Sequence, residues 1–462
     1  MSVDLPEVLD LVDGDWAAPT EDLGFDLEDP ATGKSTARAL GTAPDRVDRA
    51  LTVADAASET VTPDMLDAVA DALEPVLERI ARTDAATTGV PLRQTVPLGA
   101  IVAGSFRLAA AQVRAGILRA DVDGVEVHRM PLGPALCLVP WNAPAPMAAH
   151  KVACALAAGC PVILKVSEYT PFSAPLLARA VAEHVPVSMF QLVHGDGATG
   201  ARLVADPRIK AVSFTGGLAG GRAVAAASAP LLRPAQLELG GHNPLVVLPD
   251  ADVETAARMA VDLLTTLNGQ WCRALGRLIL PVDLAPAILA AMGERLRALV
   301  IGPPLDPGTD FGPQIHSRHV ASLRTAVAGL PARSYGEIPE PGNYLAPTLV
   351  EQDLPEEVFG PIAAVLTYGA DEDPVPLANA VPYGLEGYVC GTDTERALAV
   401  ARRVRAGEVK VNGSSIMSLH LMTPRPAWGL SGIGEEGTTE TLRFFTGARV
   451  VGVEGRFALH TS

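Results

Sequence analysis

Cysteine is scarce in this chain: five in 462 residues, at positions 137, 154, 160, 272 and 390. The number is odd and no two form a C-x-x-C pair, which argues against a disulfide scaffold and against a structural zinc site. Basic charge is short as well, with 36 Lys and Arg against 53 Asp and Glu and a formal net charge of -17. A surface of that sign suits neither nucleic acid nor anionic lipid, and no long run of like charges marks a binding tail. Long apolar runs are missing too. The nearest, residues 152–164, is too short for a membrane span and carries Gly159 and Pro161. The first residues, MSVDLPEVLDLVDGD, are acidic and contain no basic-then-apolar leader. No internal repeat or low-complexity tract occurs. These absences lead us to expect a cytoplasmic globular protein with no metal site, no nucleic-acid partner and no membrane partner.

What is present is a large stock of core-forming residues, 48% hydrophobic against 19% charged, enough for two or three domains. Short apolar runs at 135–139, 161–164, 189–193, 211–214 and 237–239 read as buried strands. Helical patterns at 147–158, 174–184, 198–205 and 218–227 separate them. That alternation predicts βαβ units and a parallel, doubly wound α/β sheet. A second alternating segment runs from 251 to 412. Residues 122–130 (VDGVEVHRM) and 450–454 alternate with period two and read as exposed strands in need of partners.

Several strand ends carry residues suited to a ligand. GDGATG at 195–200 has the G-x-G-x-x-G spacing of a dinucleotide loop, but it sits third in the series and no acidic residue ends a strand about twenty residues later. A tight glycine turn explains it equally well. FTGG at 214–217 puts small residues ahead of a helix, where backbone N–H groups can approach a phosphate. Lys165 and Glu168 leave a strand end and can reach a ligand in the crevice there, or can simply be solvated. In LELGGHNP at 237–244 a carboxylate, Glu238, lies in an apolar strand, and the two glycines that follow imply close backbone approach. Burial raises the pKa of such a glutamate toward that of a general base. Finally, TTLNGQWCRAL at 265–275 breaks a helical pattern at Asn268 and Gly269 and restarts near Cys272. At a helix N-terminus the dipole would lower the thiol pKa below its ordinary value of about 8.5, making Cys272 the candidate nucleophile among the five cysteines.

Together these stretches resemble the NAD(P)-dependent aldehyde dehydrogenase family. The matching motifs are PWNAP at 140–144, ILKVSE at 163–168, SFTGG at 213–217, LELGGHNP at 237–244, GQWC at 269–272, EEVFGP at 356–361 and LSGIGEEG at 430–437. They occur in the family's order over nearly the whole chain. The resemblance implies Cys272 as nucleophile, Asn142 as oxyanion donor and Glu238 as the base that activates water against a thioester. It implies cofactor contacts from Trp141, Lys165, Glu168, Thr215, Gly216, Gly217, Glu357 and Phe359, with NAD preferred to NADP, and it removes residues 195–200 from the pyrophosphate site. Trp271 and Arg273 are expected beside the substrate. Arg273 either meets a carboxylate at the far end of a semialdehyde or turns to a protein carboxylate.

The implied organisation is a Rossmann-like NAD-binding domain (1–118 and 133–241, with 430–446 returning to it) and a catalytic domain (242–429). Oligomerisation strands at 119–132 and 447–462 would complete it, giving a homodimer or homotetramer. Val166 and Gly217 depart mildly from the family's pattern. The chain also looks shortened near 56–65 and before 356, which is expected to open the substrate entrance. A CoA-acylating enzyme is the alternative within the family, opposed by Glu238. A thioester or ester hydrolase is the alternative outside it, opposed by Lys165, Thr215 and Glu357.

Overall fold

The computed structural model describes residues 4–454. The last part of the expected 447–462 segment, residues 455–462, lies outside the described residues. Five parallel strands form the centre of the first sheet, in the order Phe190–Val193, Val162–Lys165, Ala135–Leu138, Ala211–Thr215, Ala235–Glu238. Every residue of Ala135–Leu138 is buried because the sheet is covered on both faces. Ala135 and Cys137 point into one core, while Leu136 and Leu138 point into the other. The expected helices cover these faces, among them Pro144–Ala157, Ala174–His184, Gly197–Ala205 and Leu218–Ser228. The doubly wound arrangement is therefore as the alternation predicts.

Directly after Glu238 the chain enters a second sheet, in which Asn243–Val247 lies beside Leu275–Pro281 and Glu386–Cys390. Its strands, too, divide their residues between two cores: Leu245 and Val247 on one side, Val246 on the other. A late segment, Gly432–Ile433, then returns to pair antiparallel with Leu237 and Glu238 at the edge of the first sheet.

Three expectations need correction. Residues 122–130 are not one strand but the second half of a hairpin, Arg119–Val122 and Val125–Pro131, which turns at Asp123 and Gly124 with φ of 53° and 82°. An Asp-Gly pair is the favoured sequence for that left-handed turn. Nor does the C-terminal strand lack a partner within its own chain: Thr446–Val451 pairs along Val125–Pro131, making a three-stranded sheet. By length and composition the segment best able to span a membrane is the helix Leu92–Arg114, not residues 152–164. It packs Val102, Phe106 and Ala109 into the first core.

Candidate active site

Lys165, Thr215 and Glu238 are the last residues of three parallel strands of the first sheet, so all three sit at its carboxyl edge. Strand order reverses between Ala135–Leu138 and Ala211–Thr215, and a crevice opens at such a switch point. The crevice holds a cavity of about 360 Å³ lined by Trp141, Lys165, Glu168, Thr215, Gly216 and Gly217 among others. Gly217 caps the helix Leu218–Ser228 without a side chain, which leaves the first backbone N–H groups of that helix free to meet an anion. The Thr215 hydroxyl is buried there without a hydrogen-bond partner among the described residues. A side chain at 217 would enter open space, so glycine in place of serine leaves room rather than relieving a clash. By contrast, the helix Gly197–Ala205 is capped by its own Asp196, whose carboxylate accepts from the N–H groups of Ala198 and Thr199. A carboxylate already in that position repels phosphate, so the glycine-rich run at 195–200 is the capped start of this helix and not a phosphate loop. Lys165 and Glu168 meet loosely at 3.5 Å.

A second cavity, about 390 Å³, shares Trp141, Thr215, Gly216 and Gly217 with the first and continues to Asn142, Glu238 and Cys272. Trp141 packs edge-on against Phe359 at 5.5 Å, and both line this second cavity. Glu357 enters from the second domain segment, and its carboxylate accepts the Gly241 N–H at 2.9 Å. A Cβ at Gly240 would lie 1.8 Å from the Glu357 carboxylate, and one at Gly241 would lie 2.9 Å from the Cys272 carbonyl. The two glycines of LELGGHNP thus permit the close approach expected of them. Burial pushes Glu357 up to about 7 against the lowering effect of Gly241 N–H.

The local chemistry of Cys272 differs from expectation. No helix starts there: Cys272 lies in the turn that leads into the strand Leu275–Pro281. The preceding residues 267, 268 and 269 all take positive φ, at 49°, 59° and 73°. Such a run is costly for Leu267 and is over-determined by buried contacts. Asn268 donates to the carbonyls of Gly89 and Pro313 at 2.8 and 2.9 Å and accepts from Gly312 N–H. Asn243 then holds the nucleophile's own turn, donating to the carbonyls of Cys272 and Ala274 at 2.9 and 2.8 Å. Without a helix dipole, burial and the neighbouring Glu238 raise the Cys272 thiol pKa well above its ordinary value. Burial, followed by the charge of Glu436, pushes Glu238 up to about 7. Asn142 is held by a hydrogen bond from its amide to the Gln270 carbonyl at 2.8 Å, which leaves its second N–H free.

Trp271 is buried and lines the cavity. Arg273 touches the cavity too, but its guanidinium is engaged by Glu386 and, at 3.0 Å, by Glu408. Of the two readings of Arg273, the protein carboxylate holds, and the semialdehyde reading is set aside. Residues 56–65 do not border the cavity; Glu59 in that loop bonds instead to Ser188 at 2.6 Å. The sequence reading passed over three residues that matter here. Asn243 closes the LELGGHN stretch, Lys151 stands as the lone cation in an apolar helix, and Glu436 ends the GIGEE stretch. Lys151 is fully buried and donates to Glu436 and to Ser213, both at 2.8 Å.

The sequence profile described as "Aldehyde dehydrogenase family" matches residues 16–451. A 3-succinoylsemialdehyde-pyridine dehydrogenase from a Pseudomonas species is 34% identical, with 96% of this chain and 98% of the relative covered. A betaine aldehyde dehydrogenase from Sinorhizobium fredii is 30% identical over 96% of this chain and 97% of its own. Among solved structures, a mutant of aldehyde dehydrogenase C from Pseudomonas syringae, complexed with NAD+ and octanal, superposes with a TM-score of 0.90. It is 28% identical and covers 100% of both chains.

Proposed function

The chain belongs to the aldehyde dehydrogenase family, and on that premise we propose that it oxidises an aldehyde to the carboxylic acid with NAD, through a thioester on Cys272. One observation carries the reading: a single cavity joins Cys272, Glu238 and Asn142 to the Thr215–Gly216–Gly217 turn. The Cys272 thiol passes its proton to Glu238, and the sulfur attacks the aldehyde carbon. The carbonyl oxygen takes the negative charge beside the free N–H of Asn142 and the Cys272 backbone N–H. NAD, when bound, supplies the hydride acceptor. The hemithioacetal then collapses to a thioester. Glu238, having passed its proton to solvent, removes one from water as the water attacks the thioester carbon; the C–S bond breaks, the acid leaves, and the sulfur departs as a thiolate that regains a proton from Glu238.

The residues around the first cavity fit the dinucleotide. The uncapped helix start at Gly217 and the unpaired Thr215 hydroxyl suit its pyrophosphate, and Lys165 and Glu168 suit a ribose. Glu357, fixed by Gly241 N–H, suits the nicotinamide ribose. On this reading residues 1–118, 133–241 and 430–446 form the cofactor domain and 242–429 the catalytic domain. A cytoplasmic location and assembly through the three-stranded sheet, as a homodimer or homotetramer, belong to the same reading.

The direct test is absorbance of reduced nicotinamide with a panel of aldehydes, with and without CoA. Reduction independent of CoA, with free acid as product, is the expected result; a strict need for CoA would assign the acylating chemistry instead. Cofactor choice follows from Glu168. A carboxylate accepts hydrogen bonds from a ribose diol and repels a 2′-phosphate, so kcat/KM with NAD should exceed that with NADP by about tenfold or more. Equal or better efficiency with NADP would remove Glu168 from that position.

A further inference from the structure

The relatives are named for different aldehydes, so they do not decide which aldehyde this enzyme takes. The cavity does carry a discriminating feature. Around Cys272 its walls are largely apolar, with Leu98, Ile101, Met147, Leu267, Trp271 and Ile416. Into the same cavity projects Arg425, on the short strand Arg425–Pro426 that pairs with Glu435–Glu436. Its nearest carboxylate oxygen, on Glu436, is 3.7 Å away, beyond hydrogen-bond length, and among the described residues no hydrogen bond engages the guanidinium. Glu436 is already held at 2.8 Å by Lys151. The side chain of Arg425 retains 27% of its exposure, borders the cavity, and among the described residues spends none of its five N–H donors on a hydrogen bond.

We propose that Arg425 binds a carboxylate at the far end of the substrate, so that the aldehyde oxidised at Cys272 is a semialdehyde acid with an apolar middle. This rests on the aldehyde-oxidising reading above and names its substrate class. Charge balance supports it. Two cations, Lys151 and Arg425, flank one carboxylate, Glu436, so this cluster of three carries one net positive charge. Burial opposes it, yet these two cations hold the Glu436 carboxyl well below its ordinary range, so the cluster stays electropositive as pH falls. A single surplus charge matches a monoanion better than a phosphate dianion. A guanidinium fork also fits a carboxylate with two parallel hydrogen bonds, a geometry an ammonium does not offer. Placement is consistent: Arg425 lines the same cavity as Cys272 and Glu238, on a strand of its own paired with the one that carries Glu436. Arg273, the arginine nearest the nucleophile in sequence, does not compete because Glu386 and Glu408 hold it.

Matched pairs of equal chain length test this: succinic semialdehyde against butanal, and adipic semialdehyde against hexanal, each with NAD and the full chain. In the wild-type enzyme, kcat/KM should favour the carboxylated member of at least one pair. Arg425→Met should reduce that preference by about ten- to a hundredfold, mainly through KM, the range for a lost hydrogen-bonded charge contact. Arg425→Lys should keep part of it. The proposal is overturned if the wild type favours the uncharged aldehyde in every pair. It is also overturned if Arg425→Met lowers both members of a pair equally, which would make Arg425 a support for Glu436 alone. Should Arg425→Met fail to fold, the wild-type preference and the Arg425→Lys ratio still decide. Oxidation of none of the four aldehydes would instead count against the underlying reading.

Discussion

Cys272→Ala protein should bind NAD with near-normal affinity and oxidise no aldehyde, losing at least a thousandfold in turnover. The size of the loss follows from the mechanism: without the sulfur no hemithioacetal forms, and the difficult oxidation is no longer split into two steps. Binding should survive because Cys272 lies in a turn held by Asn243 through its backbone carbonyl, a contact that alanine keeps. The fold should survive too, since Cys272 borders the cavity and losing its sulfur leaves the backbone contacts of the turn in place. Iodoacetamide offers a parallel readout. Cys137, Cys154, Cys160 and Cys390 are buried, and burial raises the pKa of each. One adduct per chain, at Cys272, is therefore expected in the native protein, formed faster as pH rises and the sulfur ionises. Turnover by Cys272→Ala at a rate comparable to wild type would refute the covalent mechanism. Labelling of a different cysteine first would show that the site is more closed than its geometry indicates.

How legible this site was in the sequence depended on how local each cause is. Buried parallel strands bounded by Gly and Pro are local features, and the apolar run at 237–239 located the strand Ala235–Glu238 to within two residues. The surroundings of Cys272 are not local. Its turn is shaped by Asn268 reaching Gly89 and Pro313, and by Asn243 from the neighbouring strand, partners distant in sequence. A break in helical pattern at Asn268 and Gly269 was visible, but a left-handed run and a new helix leave similar local traces. The thiol's environment was misjudged for that reason: the expected dipole is absent, and a carboxyl group stands beside the sulfur instead. Arg273 shows the same limit, since Glu386 and Glu408 come from two later strands of the second sheet. At the hairpin the signal was local, and alternation alone hid it: Asp123 and Gly124 mark a turn inside residues 122–130.

Glu238→Gln should separate the two halves of the reaction. Glutamine keeps the shape of the side chain and removes its basicity, so the thioester should form and persist. Mixing enzyme, NAD and aldehyde should give a burst of reduced cofactor near one equivalent per active site, followed by turnover about a hundred- to ten-thousandfold below wild type. The amplitude is the diagnostic quantity, because loss of Glu238 also removes the group nearest the thiol and slows the burst itself. The pH dependence gives an independent check. Burial and Glu436 place the Glu238 carboxyl at about 7, and only its ionised form can accept a proton from water. Steady-state kcat of the wild type should therefore rise with pH through the neutral range, falling about tenfold per unit well below that value, and level off above it. Glu436→Gln, which removes the negative charge that helps hold the pair protonated, should shift this limb to lower pH. In Glu238→Gln the limb should vanish from the slow residual turnover. A wild-type steady rate in Glu238→Gln, or an unchanged acid limb, would show that another group activates the water, and the buried carboxyl at the end of Ala235–Glu238 would then need a different role.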